Sequence, residues 1–576
     1  MIPTFTPSSE IVPADLDATQ WALLEPLYQE LLDRKLHCKN CLERLILDRS
    51  ELDATVGETS NMLYVRMTCN TGDEAANKAY VDFVECVQPK LKEISFEIDK
   101  KIAHAPQAKE LDQKRYEVYL RDLNVAVGLF RAENVPLETE LTRLDQEYSQ
   151  ICGAMTVNFR GQELTLPQMG RFNEVPDRET REEAWKAVAG RRFKDADAID
   201  AIYEKMLGIR TTIATNAGFE NYRDYAFKAK RRFDYTPETC HEFARGVEQV
   251  CVPALRKIMQ ERSREMGVSP LRPWDGQVDP KGRPGLRPFE GAQQLVERTT
   301  KLFQRMDSSL AEMFEYLQDG GKGASSSCLD LESRRGKAPG GYQTNRDRIR
   351  KPFIFMNAAG LQRDVETIVH EAGHAFHALL CRADPLMAYR SEVPLEFAEV
   401  ASMSMELTAH PFMEEFYTKP DADRARRVHL EGIVLSLATI AMVDQFQHWI
   451  YTTPGHTRVQ RHQKWAELVS RYGPGLDWTG LEQFLLTGWH RILHLFGVPF
   501  YYIEYGIAQL GALQVWLNYR RDPQGAIAAY KRALSLGGSR PLPELFAAAG
   551  LEFAFGPPVV KRLMDELQTE LARMPS

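Results

Sequence analysis

The run RDVETIVHEAGHAFHALL, residues 363–380, restricts the fold of this chain more than any other stretch. Val365, Ile368, Val369, Ala372, Phe376 and Leu379 recur at helical spacing, which predicts a helix with one face turned to a core. Positions i and i+4 lie one turn apart on one face of a helix. His370 and His374 can therefore aim two imidazoles at a common point. Glu371 stands about 100° further round, at 3.6 residues per turn. Two histidines converging from one helix suit a divalent ion, and the glutamate beside them can hold a water there as a general base. The competing reading is a helix that carries incidental surface histidines.

An ion used for chemistry needs a third protein ligand and one open position. The continuation HExxHxxGxxH is excluded, because His377 occupies the glycine place and Leu380 the last histidine place. The next acid-bearing helix is LEFAEVASMSMEL, 395–407. It offers Glu396, Glu399 and Glu406, with Glu392 just before it. Spacing alone leaves these four open. Gly373, lacking a side chain, would let a second helix come close.

Composition narrows the partners. A chain of 576 residues with 44% hydrophobic content can bury a sizeable core. Its net charge of -8 argues against nucleic acid, which calls for a basic face. The start, MIPTFTPSSE, lacks a basic region followed by an apolar run, so no secretory signal is expected. The apolar stretch 432–443 spans twelve residues and reads as a core helix too short to cross a bilayer. Nine scattered cysteines, an odd number, suggest no disulfide framework and fit a reducing cytoplasm. Cys38 and Cys41 form a CxxC without the second pair or βαβ setting that would give it a role, and read as a helical pair.

The pattern predicts a mainly α protein, with an N-terminal helical domain over 1–175 and a catalytic domain over 176–576. Residues 17–150 read as helix after helix. Alternation around Arg160-Gly161 predicts a hairpin over 154–166. Pro176 and Asp177 open another helix. The Pro- and Gly-rich segment 268–291 reads as a long loop, and 319–341 is a glycine-rich zone. KPFIFMNA reads as a strand, with an exposed edge able to receive an extended backbone.

HEAGHAFH followed by AEVAS, with 29 positions from His370 to Glu399, resembles the thimet oligopeptidase and oligoendopeptidase F family of zinc metallopeptidases. The resemblance implies one Zn²⁺ per chain, held by His370, His374 and Glu399. It implies Glu371 as the general base and Glu406 as a buttress to a ligand histidine, and leaves Glu392 and Glu396 solvated. His377 is given a packing or hydrogen-bonding part. DLESRRGKAPGGYQT, 330–344, and the strand after it resemble the border of the family's substrate cleft. This implies peptide contacts from Gly340, Gly341, Tyr342, Phe355, Met356 and Asn357, with the glycines and Tyr342 as a mobile wall.

HLFGVPFYYIEYGIAQLGA, 494–512, resembles the family's histidine and tyrosines that stabilise an oxyanion. His494 is preferred to His490, and the choice stays open among Tyr501, Tyr502 and Tyr505, with Tyr501 also a candidate for substrate contact. The implied fold is a large multi-helix body of two lobes, with a deep substrate channel between them and a small β-sheet near the site. The implied activity is endopeptidase cleavage of short oligopeptides in the cytoplasm, by a monomer or homodimer without nucleic-acid or membrane partners. A related metallocarboxypeptidase and a non-catalytic peptide-binding homologue are the alternatives.

Overall fold

Among the described residues helices carry almost all of the regular structure, and β structure is confined to two small sheets, as the periodicity predicts. The computed structural model describes residues 2–7, 11–318, 328–334, 336–338 and 340–575. Part of the glycine-rich zone, 319–327 with 335 and 339, lies outside the described residues. Contacts divide the chain into two compact units. The first comprises Met1–Gly128, Arg287–Ala422 and Gly511–Phe553. The second comprises Leu129–Leu286, Asp423–Leu510 and Ala554–Ser576. The 175/176 boundary expected from sequence falls within the second unit.

In the first unit, Trp21–Asp33, Lys39–Cys69 and Gln88–Ala103 bury Leu24, Tyr28, Leu31, Leu42, Leu45, Ile46, Ile98 and Ile102 together. The long Lys39–Cys69 helix also packs Val65 against Phe353 and Phe355 of a three-stranded sheet. The sheet contains β3 (Leu329–Glu332), β4 (Tyr342–Arg346) and β5 (Lys351–Ala358), in the order β3-β5-β4. β5 pairs parallel with β3 and antiparallel with β4. KPFIFMNA is therefore the central strand, and the free edge expected along it is already used. Non-local pairing decides this, and a run of apolar residues does not reveal which neighbours it will have.

The motif helix, Gln362–Cys381, follows β5 after a tight turn. Asp364 fixes its start, its Oδ2 accepting from the backbone of Ala359 at 2.7 Å and Leu361 at 2.9 Å. The helix buries Val365, Ile368, Val369, Ala372, Phe376 and Leu379, the face read from periodicity. It packs on Leu395–Thr408. At Gly373 a Cβ would lie 2.6 Å from both the Ala401 oxygen and the Ser402 Cα. Only glycine permits this approach, because the obstacles are backbone atoms.

The second unit holds the predicted hairpin, β1 (Thr156–Phe159) against β2 (Gln162–Thr165). Its turn residues Arg160 and Gly161 both have positive φ, at 52° and 81°, as a two-residue hairpin turn requires. Asp177 caps Arg178–Phe193 as expected, accepting from the Thr180 backbone at 2.9 Å. The proline-rich loop is anchored rather than loose. Asp275, fully buried, takes ion pairs from Arg178 and Arg181 at 2.8 and 3.2 Å.

The apolar stretch 432–443 sits in Lys419–Thr452, a 34-residue helix with an 18-residue window of mean hydropathy 1.3. Length therefore does not exclude a membrane span, contrary to the expectation from twelve residues. Burial of Val434, Leu437, Ala438, Ala441 and Val443 supports the core-helix reading.

Gly373→Ala is expected to destabilise the folded chain by about 1–3 kcal/mol, because the two helix backbones must part to admit the methyl group. Chemical denaturation midpoints, compared at matched metal content, check this.

Candidate metal centre

The same close approach sets the geometry of the motif residues. One carboxylate oxygen of Glu399, Oε2, lies 3.4 Å from His370 Nε2 and 3.7 Å from His374 Nε2. The ligand atoms of these three residues all lie within 4.8 Å of one another. The Ser402 hydroxyl donates to the same Oε2 at 2.9 Å and helps fix its rotamer. His370 Nδ1 donates to Glu406 Oε1 at 2.6 Å. This turns the ring so that Nε2, the other nitrogen, faces Glu399. A carboxylate behind a ligand imidazole is the usual arrangement at metal centres, where it fixes the ring and raises its basicity.

Electrostatics agree with the donor set. Burial would lower the His370 pKa, but the hydrogen bond and charge of Glu406, with help from Glu399, hold it up at about 9. Burial pushes His374 down to about 4 against the pull of Glu399. Burial pushes Glu371 up to about 7; His370 opposes this, while Glu399 and Glu406 add to it. Its Oε2 is buried with no hydrogen-bond partner. Two imidazoles, one ligand carboxylate and an adjacent orphaned carboxylate oxygen fit a divalent ion with a water beside it. His370, His374 and Glu399 are the residues that would hold it.

His377 is buried, its ring 5.9 Å from Phe397 and nearly perpendicular to it, and burial pushes it down to about 3. It packs, as expected. Glu392 is exposed, in line with the sequence reading. Glu396 is not solvated: it is buried in the first turn of Leu395–Thr408. A carboxylate is favoured there by the partial positive charge of a helix N-terminus.

The sheet residues need correction. Phe355 and Met356 are buried in the central strand, so an exposed peptide-binding edge at these positions is ruled out. Asn357 is engaged internally, its Nδ2 donating to the Ala338 and Gly340 oxygens at 2.7 and 2.9 Å. Tyr342 stacks on Phe355 with centroids 4.7 Å apart, and its hydroxyl meets Thr68 Oγ1 at 2.6 Å. This anchored ring does not match a mobile wall. Gly340 has φ +101°, and Gly341 lies against the Phe355 oxygen and Thr367. The buried Lys337 ammonium ties this segment to the Asp330 and Glu332 backbone oxygens, both at 3.0 Å. These bonds anchor part of the glycine-rich zone.

In the second unit, His494 gathers three tyrosine rings. Centroids lie 5.4 Å away for Tyr501, 5.1 Å for Tyr502 and 5.9 Å for Tyr505. Tyr502 and Tyr505 share a side of Tyr502–Arg521, as their spacing predicts. The Tyr505 hydroxyl reaches His494 Nε2 at 3.4 Å. His490 is buried instead beside Asp200, at 3.3 Å. The segment is launched by Phe500, a non-glycine residue at φ +64°. Its N–H donates to Gln447 Oε1 at 2.5 Å, and its oxygen accepts from Arg232. Arg232 also pairs with Glu504 at 2.8 Å. Such a backbone conformation persists only where its surroundings enforce it.

Comparison with known proteins gives consistent matches. The description "Peptidase family M3" matches residues 171–564, and "Peptidase M3 N-terminal domain" matches 15–130. The group B oligopeptidase PepB of Streptococcus agalactiae is 22% identical over 422 residues, 69% of this chain and 64% of that one. The chromosomal oligoendopeptidase F of Lactococcus lactis subsp. cremoris is 24% identical over 42% of this chain and 38% of its own. The chain thus spans less than two thirds of the length of the curated relatives it matches first. A dipeptidyl carboxypeptidase of Escherichia coli is 28% identical over 43% of each chain. Among solved structures, a PZ peptidase A with an inhibitor superposes with a TM-score of 0.89 at 28% identity. That match covers 98% of this chain and 99% of the other.

Glu406→Ala is expected to weaken divalent-metal retention about 10–100-fold while sparing the fold. Glu399→Ala should lower metal content further, and Glu396→Ala should leave it unchanged. Metal analysis after dialysis against a graded chelator distinguishes the three.

Proposed function

The chain belongs to peptidase family M3, and from that premise we propose that it is a zinc-dependent endopeptidase of short oligopeptides. The observation that carries this reading is the convergence of His370, His374 and Glu399 beside the buried, unpartnered carboxylate oxygen of Glu371. One zinc ion at these three ligands would acidify a water and polarise the scissile carbonyl. Glu371 accepts a proton from the water as its oxygen bonds to the carbonyl carbon. It then passes that proton to the amine released when the C–N bond breaks.

Glu406 orients His370 and keeps its Nε2 turned toward the ligand set. His494 and Tyr505, hydrogen-bonded as a pair in the second unit, are proposed to stabilise the negative charge on the carbonyl oxygen, with Tyr501 and Tyr502 lining the same cluster. Gly340, Gly341 and Tyr342 remain proposed peptide contacts. β4, an outer strand of its sheet, replaces the central strand as the one proposed to offer backbone pairing. Nine cysteines without a disulfide between them suit turnover of peptides in a reducing cytoplasm.

The match to a dipeptidyl carboxypeptidase supports a second reading, removal of dipeptides from free C-termini. Mass spectrometry of a peptide blocked at both ends separates the two. Internal fragments support endopeptidase action, and cleavage restricted to unblocked C-termini overturns it. Glu371→Gln should lower kcat by at least about 10²–10⁴-fold with zinc and fold retained; a variant of near-normal turnover refutes the base assignment. Tyr505→Phe should lower kcat with little change in KM, the mark of an interaction made in the transition state. Steady-state kinetics on one fluorogenic peptide read both.

A further inference from the structure

Beyond the motif centre, the described residues gather two more groups of metal-ligand type, Asp200–His462–His490 and Cys240–Asp444–His448. The first is already served. Asp200 receives Arg458 Nε at 2.7 Å, His462 Nε2 at 3.1 Å and His490 Nε2 at 3.3 Å. The guanidinium already supplies the positive charge that a metal ion would bring.

The second group is chemically unfinished. Cys240 comes from Pro237–Gly246, and Asp444 and His448 come from Lys419–Thr452. Asp444 and His448 are four residues apart, the spacing that also places His370 and His374 on one helical face. Exposures are 0% for Cys240, 0% for Asp444 and 3% for His448. One ligand atom from each lies within 4.8 Å of the others. His448 Nε2 lies 3.2 Å from Asp444 Oδ2 but is misaligned for hydrogen bonding. Neither Asp444 oxygen and neither His448 nitrogen has a hydrogen-bond partner. Among the described residues no lysine or arginine forms an ion pair with Asp444. Burying polar atoms this way is costly unless something binds them.

We propose that Cys240, Asp444 and His448 form a second metal site, structural in role, that takes a divalent transition-metal ion of the zinc type. The donors suit zinc: a thiolate, an imidazole nitrogen and a carboxylate oxygen. The charges suit burial as well. A thiolate, a carboxylate and a neutral imidazole around a divalent ion sum to zero, and the thiol proton is released to solvent on binding. The ion ties Pro237–Gly246 to Lys419–Thr452. The His448 ring it engages lies 5.4 Å from the ring of Phe500, the positive-φ residue that launches the tyrosine segment. The site therefore braces that segment from behind.

The test exploits the sulfur. The full-length chain is produced in cells supplied with Co²⁺, so that the ion is present while the buried site forms. Expected are about two cobalt ions per chain and a near-ultraviolet thiolate-to-cobalt charge-transfer absorption. Cys240→Ser should remove that absorption together with one ion. His448→Gln, which keeps the thiol, should also lose one ion, and it serves if the serine variant fails to fold. Glu399→Ala should lose the other ion and keep the absorption, so failure of the peptidase reading cannot imitate failure of this one. A wild-type chain without the absorption overturns the proposal, and so does an absorption that survives Cys240→Ser.

Discussion

The contact at Gly373 is the constraint on which the rest of the first unit depends. Two helix backbones meet where a single methyl group would collide with Ala401 and Ser402. That contact sets the distance between the helix that carries His370, Glu371 and His374 and the helix that carries Glu399 and Glu406. The same Ala401 oxygen is also engaged by a side chain, the Tyr530 hydroxyl donating to it at 2.9 Å. With the spacing fixed, Glu371, Glu399 and Glu406 are crowded into one largely buried region. Carboxylates in such a place raise one another's pKa unless a cation joins them. Burial is the main cause of the raised Glu371 pKa and the two other carboxylates add to it, while at His370 Glu406 and then Glu399 outweigh the effect of burial. The fold thus builds a demand for positive charge into its own packing.

The second unit uses a different device. Its stretch 488–501, two short helical turns followed by a loop, is held by buried cations donating to backbone oxygens. Arg210 donates to the Leu495 oxygen at 3.0 Å and to that of Phe496, and Arg232 donates to that of Phe500. The last carbonyl groups of a short helix and those of the loop after it have no partner within their own segment, so when buried they need such donors. Arg suits the task, since its planar fork serves several acceptors at once and stays charged when buried. The result is a histidine and tyrosine cluster on a rigid base, although only short helical turns precede it.

Much of this was legible in the sequence where the signal is local. The buried face of the motif helix, the hairpin turn at Arg160-Gly161 and the cap at Asp177 all follow from spacing and turn chemistry. The meaning of Gly373 was available too, because a glycine between two histidines on a helix has few other uses. The third ligand was not legible from spacing, which left four acids open, and Glu399 was singled out only by resemblance. What escaped was non-local. The exposed edge assigned to KPFIFMNA failed because strand order is set by partners elsewhere in the chain. Glu396 looked solvated because its burial depends on what covers the start of its helix. Cys240 lies 204 positions before Asp444, and no periodicity joins them.

The division of the chain carries a consequence for its synthesis. Six segments alternate between the two units, so the polypeptide passes from one to the other five times. The first unit lacks Ile527, Tyr530, Leu545 and Phe546 of its interior until residue 553 has been made. The second waits for Pro557–Arg573, which buries Val560, Leu563, Met564 and Leu567. Neither can finish folding on the ribosome ahead of the other, as successive domains in a tandem chain do. The nascent chain must keep two incomplete interiors out of trouble until Pro557–Arg573 emerges.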